Sequence, residues 1–435
     1  MPNARLLLAL LICATPLVLF WDGLIVQGVI SGVTAIGLVL IAGTLRPGET
    51  AFFLSIARPA AVLLAIPTAF IILQLLPLGI LAHPIWKSAE AATGHRLTES
   101  ISIDIGGGVL ALGRYVTVVA IGFWSAAVAV DRQRAEWIQF ALVIATGVMG
   151  VLVLLTPLDD ANILGAKSAS LEHMQAVNCI SLGIIFALTG LLRTIERFET
   201  RRSSPDRSSK QLALAFILTA ATVGVCVSAL AVHAPKGAMI AAAYGAVTIA
   251  ALVTVRRLGL GSWAVAGFAV AAVLLAAFLA ANEPALRTKG IALAFADQAP
   301  PALVAMSQRI LDDTPLLGVG AGAFSAIAPI YRDVNANTLP AYAPTTFATL
   351  AIELGRPALW LIILAAIGAL IFLLRAALQR GRDSFYPIGG AAILITLALQ
   401  SVMNAGSLGT ATAILAAASF GLALAQSKSR TARQQ

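Results

Sequence analysis

Stretches of about twenty apolar residues recur along the whole 435-residue chain, with polar turns between them. An apolar helix of about 20 residues has the length that crosses the hydrocarbon core of a bilayer. Hydrophobic residues make up 59% of the sequence and charged residues only 11%, whereas soluble domains average about 25% charged. These features predict an all-α, polytopic integral membrane protein rather than a soluble domain with a single core.

The apolar windows predict about twelve transmembrane helices, with ends uncertain by a few residues. They lie near residues 5–20, 24–44, 60–80, 107–130, 138–157, 175–192, 211–232, 237–255, 263–281, 357–374, 387–404 and 406–425. The longest polar break falls between the ninth and tenth helices. The predicted divisions are therefore helices 1–9 within 1–281, a loop with short amphipathic helices at 282–345, and helices 10–12 with a tail at 346–435.

Lysine and arginine concentrate in every second loop, which predicts that these loops face the cytoplasm together with both termini. The residues concerned are Arg46, Arg58, Arg132, Arg134, Arg193, Arg197, Arg201, Arg202, Arg207, Lys210, Arg256, Arg257, Arg375, Arg380, Arg382, Lys428, Arg430 and Arg433. The net charge of +9 then reflects this bias toward the anionic inner leaflet, not nucleic-acid binding. The arginine-rich run 193–210 is interpreted as a solvated linker.

The 282–345 loop, predicted to lie outside, contains the run Asp313-Thr-Pro-Leu-Leu-Gly-Val-Gly-Ala-Gly-Ala-Phe324. Three glycines spaced two apart favour a tight turn in which backbone packs closely. A nucleotide-binding loop is disfavoured because no apolar strand precedes the run and no Walker lysine follows it. The preceding segment 300–313 is amphipathic, a pattern compatible with the membrane interface.

Several polar residues near membrane depth are candidates for a functional or a structural role. Arg114 fits a site for an anionic group or a structural, snorkelling side chain. Lys236 fits an interfacial cation or a phosphate contact at a helix start. Glu353 and Arg356, spaced i, i+3 at the entrance of the tenth helix, fit an intrahelical salt bridge. His233 belongs to a set of four histidines without metal-ligand spacing, and no metal site is predicted.

Several of these elements together resemble the O-antigen ligase and polymerase superfamily. The glycine run resembles that family's hallmark through Pro315, Gly318, Gly320, Gly322 and Phe324, and Ile352-Glu-Leu-Gly355 follows about thirty residues later. Pro329-Ile-Tyr-Arg332 and His233-Ala-Pro-Lys-Gly-Ala238 are similar to further family elements. The resemblance covers about residues 170–425; the first third agrees only in topology.

The resemblance implies a GT-C-like membrane glycosyltransferase of the bacterial inner membrane that needs neither cofactor nor metal. Its donor would be a polyprenyl-diphosphate-linked glycan, and its acceptor a lipid or a growing glycan. Membrane lipids and polysaccharide-assembly proteins are the other implied partners. The residues implied to contact diphosphate or glycan are Lys236, Arg309, Arg332, Arg114 and Tyr331. Ligase and polymerase activities share these motifs and are not distinguished.

The chain departs from the family where a His-Asn pair is expected, because Pro344 and Thr345 stand there. The general base would then be Glu353 or His233, or no dedicated base exists. Glu353 is favoured, because an apolar helix entrance should raise the pKa of its carboxyl group toward neutrality. A transporter or flippase of lipid-linked saccharide and an inactive homologue remain the alternatives.

Overall fold

The computed structural model describes residues 2–96, 99–155, 171–201, 209–259, 290–296, 299–333, 340–380 and 383–428. Within these ranges the chain is helical and contains no strand. The helices are α1 Pro2–Cys13, α2 Thr15–Phe20, α3 Leu24–Ala42, α4 Pro47–Leu75, α5 Ile85–Thr93, α6 Ile105–Val128, α7 Arg132–Leu154, α8 Leu171–Arg201, α9 Ser209–His233, α10 Lys236–Arg257, α11 Pro301–Asp313, α12 Phe324–Ile327, α13 Thr346–Glu353, α14 Arg356–Gln379, α15 Phe385–Met403 and α16 Thr410–Ala425. Single 3₁₀ turns occupy Gly79–Leu81, Ala328–Tyr331 and Gly406–Leu408.

Nine helices of the described chain are long and apolar enough to cross a membrane, which confirms a polytopic membrane protein. They are α3, α4, α6, α7, α8, α9, α10, α14 and α15. The first predicted span is divided into α1 and α2, with Pro16 at the start of α2, and the last is the 16-residue α16. The predicted span 263–281 lies outside the described residues, so the count of twelve stays a prediction.

Helix α8 forms the centre of the bundle. Its most apolar window is 89% buried within the protein, against 11% for α6 and 17% for α4. It packs against α7, α9, α10, α15 and α16. Close approach depends on small residues, since a side chain on Gly183 would collide with Thr146 of α7 and Cys226 of α9. The peripheral helices instead present apolar side chains outward, as lipid contact requires.

Helix α11 confirms the amphipathic pattern at 300–313, but its apolar face is not left free for the membrane interface. Leu303, Met306 and Ile310 are buried in a small core that they share with Phe324 and Ile352. The apolar stripe of α11 thus serves to join α12 and α13 into one folded segment. Protein covers this stripe, so the stripe is not free to insert into lipid, and a location of α11 at the membrane interface stays a prediction.

Two faces of the bundle are distinguished by what they carry. The glycine-turn face contains residues 102–108, 316–324 and 353–355, while the arginine face contains the ion pairs Arg132–Asp383 and Arg134–Glu49. Helix α6 runs from one face to the other over 24 residues, or about 35 Å. The interpretation of 193–210 as a solvated linker was wrong in its first part, because α8 continues to Arg201 and Arg193 is only 4% exposed.

Candidate functional site

The glycine run folds as the predicted tight turn between two helices, α11 and α12. Gly318, Gly320, Gly322 and Gly355 have φ values of +76°, +110°, +73° and +85°, which side chains rarely tolerate. A Cβ atom on Gly318 would collide with the Glu353 carbonyl group, and one on Gly355 with that of Leu316. The turn and the residues after α13 therefore pack backbone against backbone.

Main-chain hydrogen bonds fasten the turn on two sides. The amides of Val319 and Gly320 donate to the carbonyl oxygens of Ile352 and Glu353, each at 3.0 Å. On the other side, the amide of Ile103 donates to the Val319 carbonyl at 2.9 Å. The turn consequently joins the residues that precede α6 with the end of α13, two segments that are distant in sequence.

Gln74, at the end of α4, is a residue of this site that the sequence analysis missed. It is fully buried, and its side-chain nitrogen donates to the carbonyl oxygens of Leu317 (2.8 Å) and Glu353 (3.0 Å). Its side-chain oxygen accepts from the Ala321 amide at 3.1 Å. The available signal was a lone amide side chain inside an apolar window, since such residues need partners at membrane depth.

Glu353 is partly buried at the last position of α13, and its carboxylate lies at the glycine turn. Oε1 accepts from the Phe324 amide at 3.3 Å. Burial raises the pKa of Glu353 to about 7, while backbone hydrogen bonds from Gly322 and Phe324 and the charge of Arg114 act in the opposite direction. The expected rise in this pKa is therefore present, and the group can hold or release a proton near neutral pH.

Glu353 lies just before the tenth predicted span, but it does not share a helix with Arg356. Helix α13 ends at Glu353, and the positive φ of Gly355 separates it from α14, which begins at Arg356. The Arg356 guanidinium donates instead to the Leu311 carbonyl oxygen at 2.9 Å. No ion pair joins Glu353 to Arg356 in the described chain, so the intrahelical salt bridge is wrong.

Arg114 lies on the exposed side of α6, one turn after Ala111, which contacts the glycine turn at Gly322. Its Nε donates to Gln27 Oε1 of α3 at 2.7 Å. Both residues line a cavity of about 50 Å³ between α3, α6 and α16, to which Ser31, Thr117 and Thr410 also contribute. Arg114 is thus held by a neutral partner, and its charge acts on Glu353.

Arg309 lies in α11, and Tyr331 and Arg332 lie at the end of the 3₁₀ turn Ala328–Tyr331 in the same segment. Arg309 forms an exposed ion pair with Asp333, with N–O distances of 3.0 and 3.2 Å. The Tyr331 hydroxyl donates to Asp313 at 2.9 Å, and burial followed by this contact raises the pKa of Tyr331. The buried Nε of Arg332 has no hydrogen-bond partner among the residues that the structure describes. Of the two arginines, Arg332 is therefore better placed to receive an anion.

The other candidates, His233 and Lys236, lie at the turn between α9 and α10 and are not brought to Glu353 by any described contact. The ring Nε2 of His173 is 3.2 Å from the backbone oxygen of His233, and Lys236 is exposed. Gly237 packs against Met403, whose neighbour Asn404 accepts a hydrogen bond from the Thr346 amide at 2.9 Å.

Helix α13 extends from the region of the α9–α10 turn, which carries His233 and Lys236, to Glu353 at the glycine turn. Thr346 is at its first position and Glu353 at its last, which places about 10 Å of helix between them. The preceding Thr345 is buried and used as a cap: its hydroxyl accepts from the Ala348 amide at 3.0 Å and donates to the Ala292 carbonyl. Thr345, the second of the two positions where His-Asn was expected, therefore serves the start of α13.

In chemical terms, the glycine turn places a titratable carboxyl group, with a pKa near neutrality, within electrostatic range of the Arg114 guanidinium group and on a rigid backbone frame. Within the described residues, no group of three or more His, Cys, Asp or Glu side chains is arranged to hold a metal ion. No protein-family model matches this chain, and no curated protein matches it at a significant level.

Proposed function

We propose that this protein is a membrane glycosyltransferase of cell-surface polysaccharide assembly, of the O-antigen ligase or polymerase type. It transfers glycan from a polyprenyl-diphosphate carrier to a lipid or glycan acceptor on the outer side of a bacterial inner membrane. The observation that carries the proposal is the Glu353 carboxyl group, whose pKa lies near 7 at the glycine turn and within the field of Arg114. The sequence elements that resemble the superfamily supply the substrate class.

The chemistry assigns a role to each of the two groups. Glu353 accepts the proton of the acceptor hydroxyl as the hydroxyl oxygen attacks the anomeric carbon of the donor sugar. The bond between that carbon and the phosphate oxygen breaks, and the diphosphate leaves as an anion. Arg114 offsets the developing negative charge, because it lies one turn of α6 after Ala111 and its charge acts on the Glu353 site. The fixed backbone donors around Glu353 keep its carboxyl group oriented.

A transporter or flippase of lipid-linked saccharide is the second candidate. Arg114 favours it, because an exposed guanidinium at this depth of α6 suits the passage of an anionic head group. A transporter does not need a general base, so the two functions differ in their dependence on Glu353.

The test is Glu353→Gln, which keeps the shape and the hydrogen bonds of the side chain but removes the base. With purified protein and lipid-linked donor, we expect turnover to fall about 100-fold or more while donor binding changes little. Glu90→Gln, in α5 of the same face, is the matched control and should keep full activity. A fully active Glu353→Gln enzyme would contradict the assignment of the base, and intact donor translocation without transfer would favour the transporter.

The outward orientation can be tested separately, in a Cys13→Ser background because Cys13 is exposed. Leu316 and Leu258 are 74% and 67% exposed and lie on the glycine-turn face and at the end of α10, respectively. In intact cells, an impermeant thiol reagent should label Leu316→Cys and leave Leu258→Cys unlabelled. The reverse labelling would place the site on the side where the lipid-linked donor is not expected.

A further inference from the structure

A cavity of about 50 Å³ lies between α3, α6 and α16. Its polar lining consists of Gln27, Ser31, Arg114, Thr117 and Thr410, and its other walls are apolar. A single water molecule needs about 10–15 Å³ of such space, so the cavity has room for about four oxygen-sized atoms. It therefore fits a polar group of the size of a phosphate.

The cavity lies between two helices that face lipid. The most apolar windows of α3 and α6 are only 22% and 11% buried within the described protein. The two helices run side by side in the same direction: Gln27 contacts Arg114, and ten residues further along each helix a Cβ atom on Gly37 would collide with Trp124. At the cavity, Ser31 and Arg114 are both exposed. An occupant can therefore enter directly from the bilayer.

Arg114 is the one charged side chain among the described residues that line the cavity. Its Nε donates to the neutral Gln27 Oε1 at 2.7 Å, and the terminal nitrogens of its guanidinium group have no partner in the described chain. Arg114 lies about 14 Å from the start of α6, at 1.5 Å per residue. A cation at such a depth requires a counter-charge or water. The free terminal N–H groups therefore indicate an acceptor that the described protein does not supply.

The carboxylate that is linked to Arg114 through Gln27, that of Asp22, is already engaged. Gln27 Nε2 donates to Asp22 Oδ1 at 2.9 Å, and the Thr410 hydroxyl contacts both carboxylate oxygens at 2.8 and 2.9 Å. Gln27 thus lies between the two charged groups and bonds to each of them. This chain fixes the guanidinium group in place and leaves it without an ion-pair partner in the described chain.

We propose that this cavity is a binding site for the phosphate group of a lipid. The two terminal nitrogens of a guanidinium group donate parallel hydrogen bonds to phosphate oxygens. The hydrocarbon chains of the lipid lie against the outward side chains of α3, where Ile25 and Val29 are 84% and 59% exposed. The lipid is either the diphosphate-linked donor or an anionic phospholipid of the bilayer, which present the same oxygens to Arg114. Only the first of these two sources rests on the proposed function.

A snorkelling arginine that is solvated by water is the competing explanation. It accounts for the exposure of Arg114, but it requires neither a protein partner on Nε nor a cavity beside the guanidinium group. The chain from Thr410 through Asp22 and Gln27 to Arg114 restricts side chains that would otherwise gain entropy by moving freely. A phosphate group in the cavity accounts for both the restriction and the space.

The site is tested with delipidated, purified full-length protein in detergent, by native mass spectrometry during titration with one lipid at a time. The wild-type protein should bind one molecule of a polyprenyl diphosphate or of phosphatidylglycerol in a saturable manner. It should not retain diacylglycerol, which lacks the phosphate group. Arg114→Gln removes the charge and should weaken binding about tenfold or more.

Ala413→Leu is the second variant, because it fills the cavity and leaves every charged group unchanged. It should also weaken lipid binding about tenfold or more, since the phosphate group then lacks space beside Arg114. Arg58→Gln is the matched control: Arg58 is an exposed arginine in the spanning helix α4 and does not line the cavity. Its lipid affinity should equal that of the wild-type protein.

The relative affinities of the two lipids distinguish the two sources. Tighter binding of the polyprenyl diphosphate identifies the donor, and tighter binding of phosphatidylglycerol identifies a bilayer phospholipid. Absence of saturable binding of both lipids, or unchanged affinity in either Arg114→Gln or Ala413→Leu, overturns the proposal. Because no acceptor is present in this experiment, its result is independent of the Glu353→Gln test of transfer.

Discussion

The glycine-turn face and the arginine face use different forces to close the two ends of one bundle. At the glycine turn, main-chain hydrogen bonds and the amide of Gln74 hold the segments together, and Glu353 accepts from backbone amides. At the arginine face, side-chain ion pairs such as Arg132–Asp383 and Arg193–Glu136 join the helix ends. One closure depends on backbone shape and the other on charge.

The difference indicates how each face should respond to substitution. A backbone contact leaves no space for even one methyl group, so substitutions that add a single methyl group should destabilise the glycine-turn face. Ion pairs involve long side chains that can adjust, and they fail when one partner is neutralised and a charge remains buried. Rigid backbone geometry is also what a reacting group requires, since a catalytic side chain must be held in one orientation.

The largest effect is expected for Gly318→Ala. The new Cβ atom would collide with the Glu353 backbone, and the alanine would have to adopt the φ of +76° that glycine has there. Strain and overpacking together should lower the free energy of unfolding by about 4 kcal/mol. Thermal unfolding in detergent measures this loss of stability. Gly94→Ala is the matched control, because Gly94 has a φ of +68° but nothing within 4 Å of its Cβ position. It should lose only about 1 kcal/mol; equal losses would mean that backbone packing does not distinguish the glycine turn.

A somewhat smaller effect is expected on the other face for Glu136→Gln. The change neutralises the partner of both Arg193 and Arg197, and Arg193 is buried, so the protein should lose about 3 kcal/mol of unfolding free energy. Glu90→Gln, which breaks no described ion pair, is the control. High salt should restore little stability to Glu136→Gln, because the remaining charge is buried. If Glu136→Gln is as stable as the control, ion pairing does not close the arginine face.

Gln74→Leu tests whether each hydrogen bond at the glycine turn contributes to stability. The change removes the partner of the Leu317 carbonyl oxygen and of the Ala321 amide, and one of the two hydrogen bonds to the Glu353 carbonyl oxygen. This loss should cost about 2 kcal/mol even if the turn relaxes. Gln139→Leu is matched in burial but removes a single bond, to the Phe186 carbonyl at 2.8 Å. It should cost about 1 kcal/mol. Equal losses would indicate that the three hydrogen bonds of Gln74 add no more stability than a single bond does.

The sequence predicts the bundle better than it predicts the site. Apolar windows identify the spans because hydropathy alone decides membrane insertion. The helix boundary at Glu353 was missed, although Gly355 and Pro357 signal the end of one helix and the start of another. Gln74 could not be assigned from sequence, because its partners come from segments more than 240 positions away.

The contrast between the two faces also applies to their charged residues. Arg193 and Arg197 were predicted as solvated, because arginine-rich runs usually are, but the distant Glu136 pairs with both. On the glycine-turn face, the largest cause of the predicted shift in the pKa of Glu353 is burial, which an apolar sequence context does indicate. Long-range pairing is thus harder to infer than local environment.

The last expected effect concerns pH and isolates Glu353. Burial raises the pKa of its carboxyl group to about 7, above the usual value of 4.5, so the folded protein binds this proton more tightly than the unfolded chain does. Its contribution to stability is therefore complete below pH 4.5 and is lost as the pH rises through 7. The unfolding temperature of the wild-type protein should fall between pH 5 and pH 8 by more than that of Glu353→Gln, which cannot titrate at this position. Glu90→Gln should retain the wild-type difference. If Glu353→Gln shows the same pH dependence as the wild-type protein, the carboxyl group does not titrate near neutrality. That result would contradict its role as the proton acceptor at the glycine turn.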